Sequence, residues 1–262
     1  MAGNSVFELV QVRGWRGGLN NLLRGELGSW WKSSSWWVQT LIWVGVINGI
    51  LAGMLWGAEG VGPQEAATLY SVFSGLFPTI AVIIILQDAV VGEKESGTAE
   101  WVLSKPVSRT AFILAKLIAN TIGVVVTMVV FPGIVAYLQI RLAGADLTLF
   151  NFSLGMGVLA LNLVFYLTLT LMLGTLFHHR GPVIGIPLAL AFGQQMLLGL
   201  APFLVQVLPW ILVVPFGDYE LPVAAALMQG RQPPTLIPLY SVSILIVVFV
   251  VVSLWRFEKE EF

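Results

Sequence analysis

The chain has 262 residues, 57% of them hydrophobic and 10% charged, with a mean hydropathy of +0.88 and a net charge of −1. An ordinary soluble domain carries roughly 25% charged residues, so the composition excludes that class and points to a polytopic membrane protein. The charge balance excludes a basic field for nucleic acid, and the lack of cysteine excludes disulfides and thiolate metal sites.

The first apolar run starts after Lys32. That is too late, and the run too long, for the apolar core of a cleaved signal peptide. Residues 6–32 ahead of it are expected to form an interfacial amphipathic helix. Trp15, Leu19, Leu22, Leu23, Leu27 and Trp30 recur at spacings of three and four, while Arg13, Arg16, Asn20, Arg24 and Lys32 supply a polar, basic side. Five glycines between Gly14 and Gly28 weaken this helix.

Six windows contain no Asp, Glu, Lys or Arg: 33–58, 66–87, 117–140, 147–177, 181–217 and 232–255. Each can hold a helix of about 20 residues that crosses the hydrocarbon core. The expected fold is therefore all-α, a single transmembrane domain over 1–262. Its spans are expected near 37–56, 68–87, 117–139, 154–177, 183–207 and 237–255. The runs are continuous and do not alternate, which argues against a barrel. Eleven of the 13 Lys and Arg residues fall on the side of the termini and only Arg141 and Arg231 on the other, so both termini are expected in the cytoplasm.

Gly45, Gly49 and Gly53 put a glycine stripe on one face of the first span, and Gly181, Gly185, Ala189 and Gly193 repeat it in the fifth. Such stripes let backbones approach closely in lipid. Two readings stand, packing within one subunit or a seam between subunits. The segment from Leu208 to Leu236 is apolar but carries five prolines, which suits short re-entrant helices before the last span. No span core holds an ionisable side chain other than tyrosine. That disfavours a proton relay or an intramembrane hydrolase. His178 and His179 are adjacent and make a poor metal pair. Neutral polar residues do occur in the spans; Asn48, Gln194 and Gln195 are candidates to line a path, against the alternative of interhelical hydrogen bonds.

Between the second and third spans lies QDAVVGEKESGTAEWVLSKPVSR, residues 87–109, with seven of the 27 charged residues. Its Gly92 to Gly97 spacing is not a phosphate loop, because Thr98 and Ala99 stand where Lys and Ser/Thr are needed. The local signals describe a helix interrupted at Gly92 and Gly97, a short helix over about 97–104, and a stop at Pro106. Trp101 and Leu103 are large apolar residues in an otherwise polar connector, which suits a docking surface.

This stretch resembles the signature of type-2 ABC exporter permeases: Asp88, Gly92-Glu93-Lys94-Glu95, Gly97-Thr98, Trp101-Val102-Leu103, Pro106-Val107-Ser108-Arg109 and Ala115-Lys116. Arg24-Gly25-Glu26-Leu27 is similar to a basic-Glu-Leu element in the interfacial helix of that family. The resemblance implies a dimer with a second copy or a paralogue, in contact with membrane lipid and with separate cytoplasmic ATPase subunits. ATP and Mg²⁺ would sit on the partner, leaving this chain without a cofactor, a metal or a catalytic residue. It implies coupling through Asp88, Glu93, Glu95, Gly97, Thr98, Trp101, Leu103, Pro106 and Arg109, with Arg24 and Glu26 in the interfacial helix. Glu100-Trp101 departs from the usual run of leucines, and the loop between spans four and five is very short. Two other functions stand as alternatives: an intramembrane lipid-modifying enzyme, for which the sequence shows no catalytic constellation, and a non-transporting membrane anchor for a regulatory ATPase.

Overall fold

The structure is a computed structural model that describes residues 14–57, 60–217 and 219–260. Part of the expected interfacial helix, residues 6–13, lies outside the described residues. Ten α-helices are numbered here in chain order: α1 Leu19–Trp31, α2 Ser35–Trp56, α3 Pro63–Glu95, α4 Thr98–Leu103, α5 Arg109–Leu142, α6 Leu149–Leu176, α7 Arg180–Leu200, α8 Trp210–Val213, α9 Val223–Met228 and α10 Ile237–Glu258. Among the described residues there is no strand, only a single bridge between Phe216 and Tyr219.

Among the described residues five helices, α2, α3, α5, α6 and α10, are long and apolar enough to cross a membrane. Where a sixth span is expected over 183–207, the chain forms the 21-residue α7 with Pro187 inside it. It then breaks at Ala201 into a 3-10 turn over Pro202–Gln206.

Local chemistry sets the helix ends. Pro63 opens α3 at a position where its missing N–H costs nothing. Ser108 Oγ accepts the N–H of Ala111 at the start of α5, and Thr148 Oγ1 accepts that of Asn151 at the start of α6. Gly97 ends α3 with φ 71°, a left-handed turn that glycine adopts freely. Gly92 does not interrupt α3, contrary to the expectation from its residue type. The helix instead widens into a π turn over Asp88–Gly92 and continues to Glu95. A Cβ at position 92 would lie 2.7 Å from Asp88 Oδ1, so a larger residue there would have to displace the Asp88 carboxylate. A second π turn, Val125–Val130, lies within α5.

Helix α6 is the centre of the bundle. Two-thirds (67%) of its apolar window is buried, against 22% for α2 and 17% for α10. It packs on α3, α5, α7, α9 and α10. The short helices α8 and α9 are almost wholly buried. They lie close to the long helices at two glycines: a side chain at Gly75 would overlap Val213, and one at Gly155 would overlap Met228 and the Ala224 carbonyl.

Neutral hydrogen bonds join the middle of the bundle. Asn162 Nδ2 donates to the Gly75 carbonyl at 3.0 Å, linking α6 to α3. Gln194 Nε2 donates to the Tyr166 hydroxyl at 2.7 Å, and Gln194 Oε1 accepts the Trp210 N–H at 3.1 Å, so one amide joins α6, α7 and α8.

Candidate functional site

Most of the charged residues described gather at one end of the bundle, where α1, the end of α3, α4, the start of α5 and the end of α10 meet. The start of α5 organises this end. Lys116, Asn120 and Gly123 are spaced by four and three residues, so they share one helical face. That face receives α1. A side chain at Gly123 would overlap the Trp30 indole, and Trp30 Nε1 donates to Asn120 Oδ1 at 3.1 Å. Asn120 Nδ2 in turn donates to the Lys116 carbonyl.

Lys116 is 1% exposed. A buried ammonium is tolerated only when it is paired, and Lys116 has two carboxylates, Glu26 of α1 at 2.8 Å and Glu93 of α3 at 2.5 Å. The Phe112 ring, one turn earlier, lies 4.8 Å from the same nitrogen. One lysine thus ties three helices together. Further pairs surround it. Arg180, at the start of α7, binds Asp88 at 3.0 Å and Glu95 at 2.9 Å; all three side chains are about half exposed. Lys94 binds Glu260 at 2.7 Å, and both are buried.

Helix α4 stands on this base. Ala99 is fully buried, and Val102 and Leu103 pack against the core. Trp101 faces outward at 62% exposed, with the Lys105 ammonium 3.2 Å from its ring centroid, a cation–π contact. Between α1 and α4 runs a groove of about 740 Å³, walled by Leu22, Glu26, Trp101, Val102 and Lys105. Next to it the chain before α1 is tied to the start of α5: Ser108 Oγ donates to the Trp15 carbonyl at 2.6 Å, and the Ser108 N–H to that of Gly17. Gly18 turns the chain into α1 with φ 76°, against Val107.

A family profile described as ABC-2 family transporter protein matches residues 59–262, more than three-quarters of the chain. The chain belongs to the ABC-2 transporter family. It is a transmembrane permease of that family, a transport subunit of the membrane. No curated protein matches the sequence.

The match takes in the ABC-2 residues of α3, α4 and α5 but not α1, so of the Lys116 cluster only Glu26 lies outside it. The structure sorts the residues singled out from the sequence into three groups. Asp88, Glu93 and Glu95 are ion-paired within the chain. Gly97, Thr98, Trp101 and Pro106 are at or near the surface around α4, with Leu103 half-buried beneath. Arg109 lines a small cavity with Glu100, Leu103 and Ser104 at α4 and extends to α10. Its guanidinium donates to the Glu258 carbonyl at 2.9 Å and to that of Glu260, capping the last turn of α10. Arg24 is exposed on α1.

The other candidates are set apart from this end. Gly45, Gly49 and Gly53 are exposed on α2, and a Cβ at any of them would meet nothing within 4 Å. The stripe does not serve packing among the described residues. Asn48 is buried between α2 and α5, where its Nδ2 donates to the Pro132 carbonyl at 3.2 Å. Gln194 is buried in the α6–α7–α8 junction, whereas Gln195 is exposed. The sequence reading passed over Lys116 as a hub and Glu260 as a partner. The signal for Lys116 was present, a lone cation at the head of a long uncharged run. Its partners are too far along the chain for spacing to reveal them.

Proposed function

We propose that this permease is the membrane half of an ATP-driven exporter, working as a dimer with two cytoplasmic ATPase subunits that bind ATP and Mg²⁺. In this reading both termini and the charged end face the cytoplasm, in keeping with the distribution of Lys and Arg. Helix α7 is the sixth span; its 21 residues reach roughly 30 Å. The short helices α8 and α9 enter and leave the opposite leaflet. Helix α4 is the coupling helix, and the open glycine stripe of α2 faces the second copy or a paralogue.

The observation that carries the reading is Trp101. A large aromatic side chain stands exposed on a short helix whose base is pinned by a buried lysine and two carboxylates. Exposed aromatics next to a groove are typical anchors at interfaces. A rigid base is what a docking element needs if force applied to it is to reach the spans.

The test is copurification. The chain, coexpressed with a candidate ABC ATPase subunit, is expected to bring that ATPase down from detergent extracts. Trp101→Ala should weaken its retention at least about tenfold, the loss expected for an interfacial anchor residue. Its thermal midpoint should stay unchanged, because the side chain is exposed. Full retention by Trp101→Ala would remove α4 as the docking element.

A further inference from the structure

Helix α10 packs one face on α6, where Phe249 meets the Phe165 ring at 5.4 Å, and leaves most of its apolar surface facing outward. Its two ends are held by specific polar contacts. At the end opposite the charges, Ser241 Oγ lies 3.1 Å from both the Gln206 and Val207 carbonyls, at the 3-10 turn that leads into α8. At the charged end, the segment Phe257–Glu260 is strapped down. Phe257 is buried and stacks parallel on Phe112 of α5 at 5.3 Å. Thr110 Oγ1 donates to Glu258 Oε1 at 2.9 Å, and Arg109 holds the Glu258 and Glu260 carbonyls. Glu260, only 5% exposed, receives Lys94. His178 Nδ1 lies 3.8 Å from the same carboxylate oxygen, and Lys94 Nζ also reaches the Thr175 carbonyl at the end of α6.

Lys94 is the pivotal partner. Its carbonyl accepts the Gly97 N–H, which forms the turn into α4. Its side chain grips Glu260. The base of α4 and the foot of α10 are therefore joined through a single residue. The pair is buried, so water and salt screen it little, and separating it leaves a charge without a partner. The Arg180 pairs on the other side of α3 are half exposed and correspondingly weak.

We propose that Glu260 is a positioning residue for transport: the Lys94–Glu260 strap makes α10 a rod that carries displacement of α4 to the 3-10 turn and α8 at the opposite face. The proposal rests on the transport reading above. It adds a second route through the membrane beside the direct one along α3 and α5.

The experiment uses the complex with its copurified ATPase in nanodiscs of phosphatidylethanolamine and phosphatidylglycerol. Hydrogen exchange is read with and without ATP and vanadate. In the unaltered complex, trapping is expected to change exchange in residues 92–105, 252–260 and 200–210 together. In Glu260→Gln the first region keeps its response and the other two lose theirs. The charge swap Lys94→Glu/Glu260→Lys restores them. Thr110→Val, which cuts only one strand of the strap, gives a partial loss and serves if Glu260→Gln does not fold. An unchanged response of residues 252–260 in Glu260→Gln or in Thr110→Val, with ATPase still bound, overturns the strap alone. Failure of any ATPase to copurify with the unaltered chain overturns the transport reading, and the strap with it.

Discussion

The two halves of this bundle are held by different chemistry. At the charged end, buried ammonium groups sit between carboxylates from helices far apart in sequence, as Lys116 does between Glu26 and Glu93. In the middle, single amides bridge helices through neutral hydrogen bonds, as Asn162 and Gln194 do. Ion pairs of this kind are costly to pull apart and define which helix meets which. Neutral bonds in a membrane contribute little each and can be exchanged for others. The charged end is thus cross-linked by bonds that are costly to break, while the spans above it are joined by bonds that can be exchanged. The coupling to an ATPase proposed above would need that division.

The comparison is broken most severely at Lys116. Lys116→Met leaves two carboxylates facing each other without a cation and is expected to cost about 3–5 kcal/mol, the usual penalty for removing one partner of a buried pair. The measurement is the thermal midpoint and the yield of folded chain in detergent; a change as small as that of a surface substitution would refute the hub. Gln194→Leu comes next. It strands the buried Trp210 N–H and the Tyr166 hydroxyl, at about 1–3 kcal/mol. Faster proteolysis between residues 200 and 222 should accompany the lower midpoint, because α8 loses its tie to α7. The smallest effect is expected at Asn162→Leu, about 0.6 kcal/mol, the average for an interhelical bond in lipid. If Asn162→Leu proved as damaging as Lys116→Met, the contrast between a rigid end and an adaptable middle would fail.

Much of this was legible in the sequence, and for a definable reason. Span positions depend on runs of residues without charge, which are local, so windows such as 147–177 mark a helix to within a few residues of Leu149–Leu176. The short helix at Thr98–Leu103 is bounded by Gly97 and Pro106, which are also local signals. Pairings are not local. Glu26 and Lys116 are 90 residues apart, and Lys94 and Glu260 are further still. Arg109 shows the limit of a motif: its position in the signature was clear, but its role as a cap on α10 depends on where a distant helix ends. The glycine stripe of α2 is legible as a pattern, but its use is not, and in the structure no described residue covers that face.

The π turn at Asp88–Gly92 has a consequence for how the charged end is specified. An α-helix advances about 100° per residue, and a π turn accommodates one residue more than the regular spiral does. Everything beyond it, Glu93 and Lys94 included, is therefore rotated by about a quarter of a circle or slightly more from where a regular α3 would point it. Glu93 faces Lys116, and Lys94 faces Glu260, because of how many residues precede them as well as what they are. The ion pairs obey a counting rule: losing a single residue from this turn would offer each charge to the wrong neighbour while leaving its chemistry untouched.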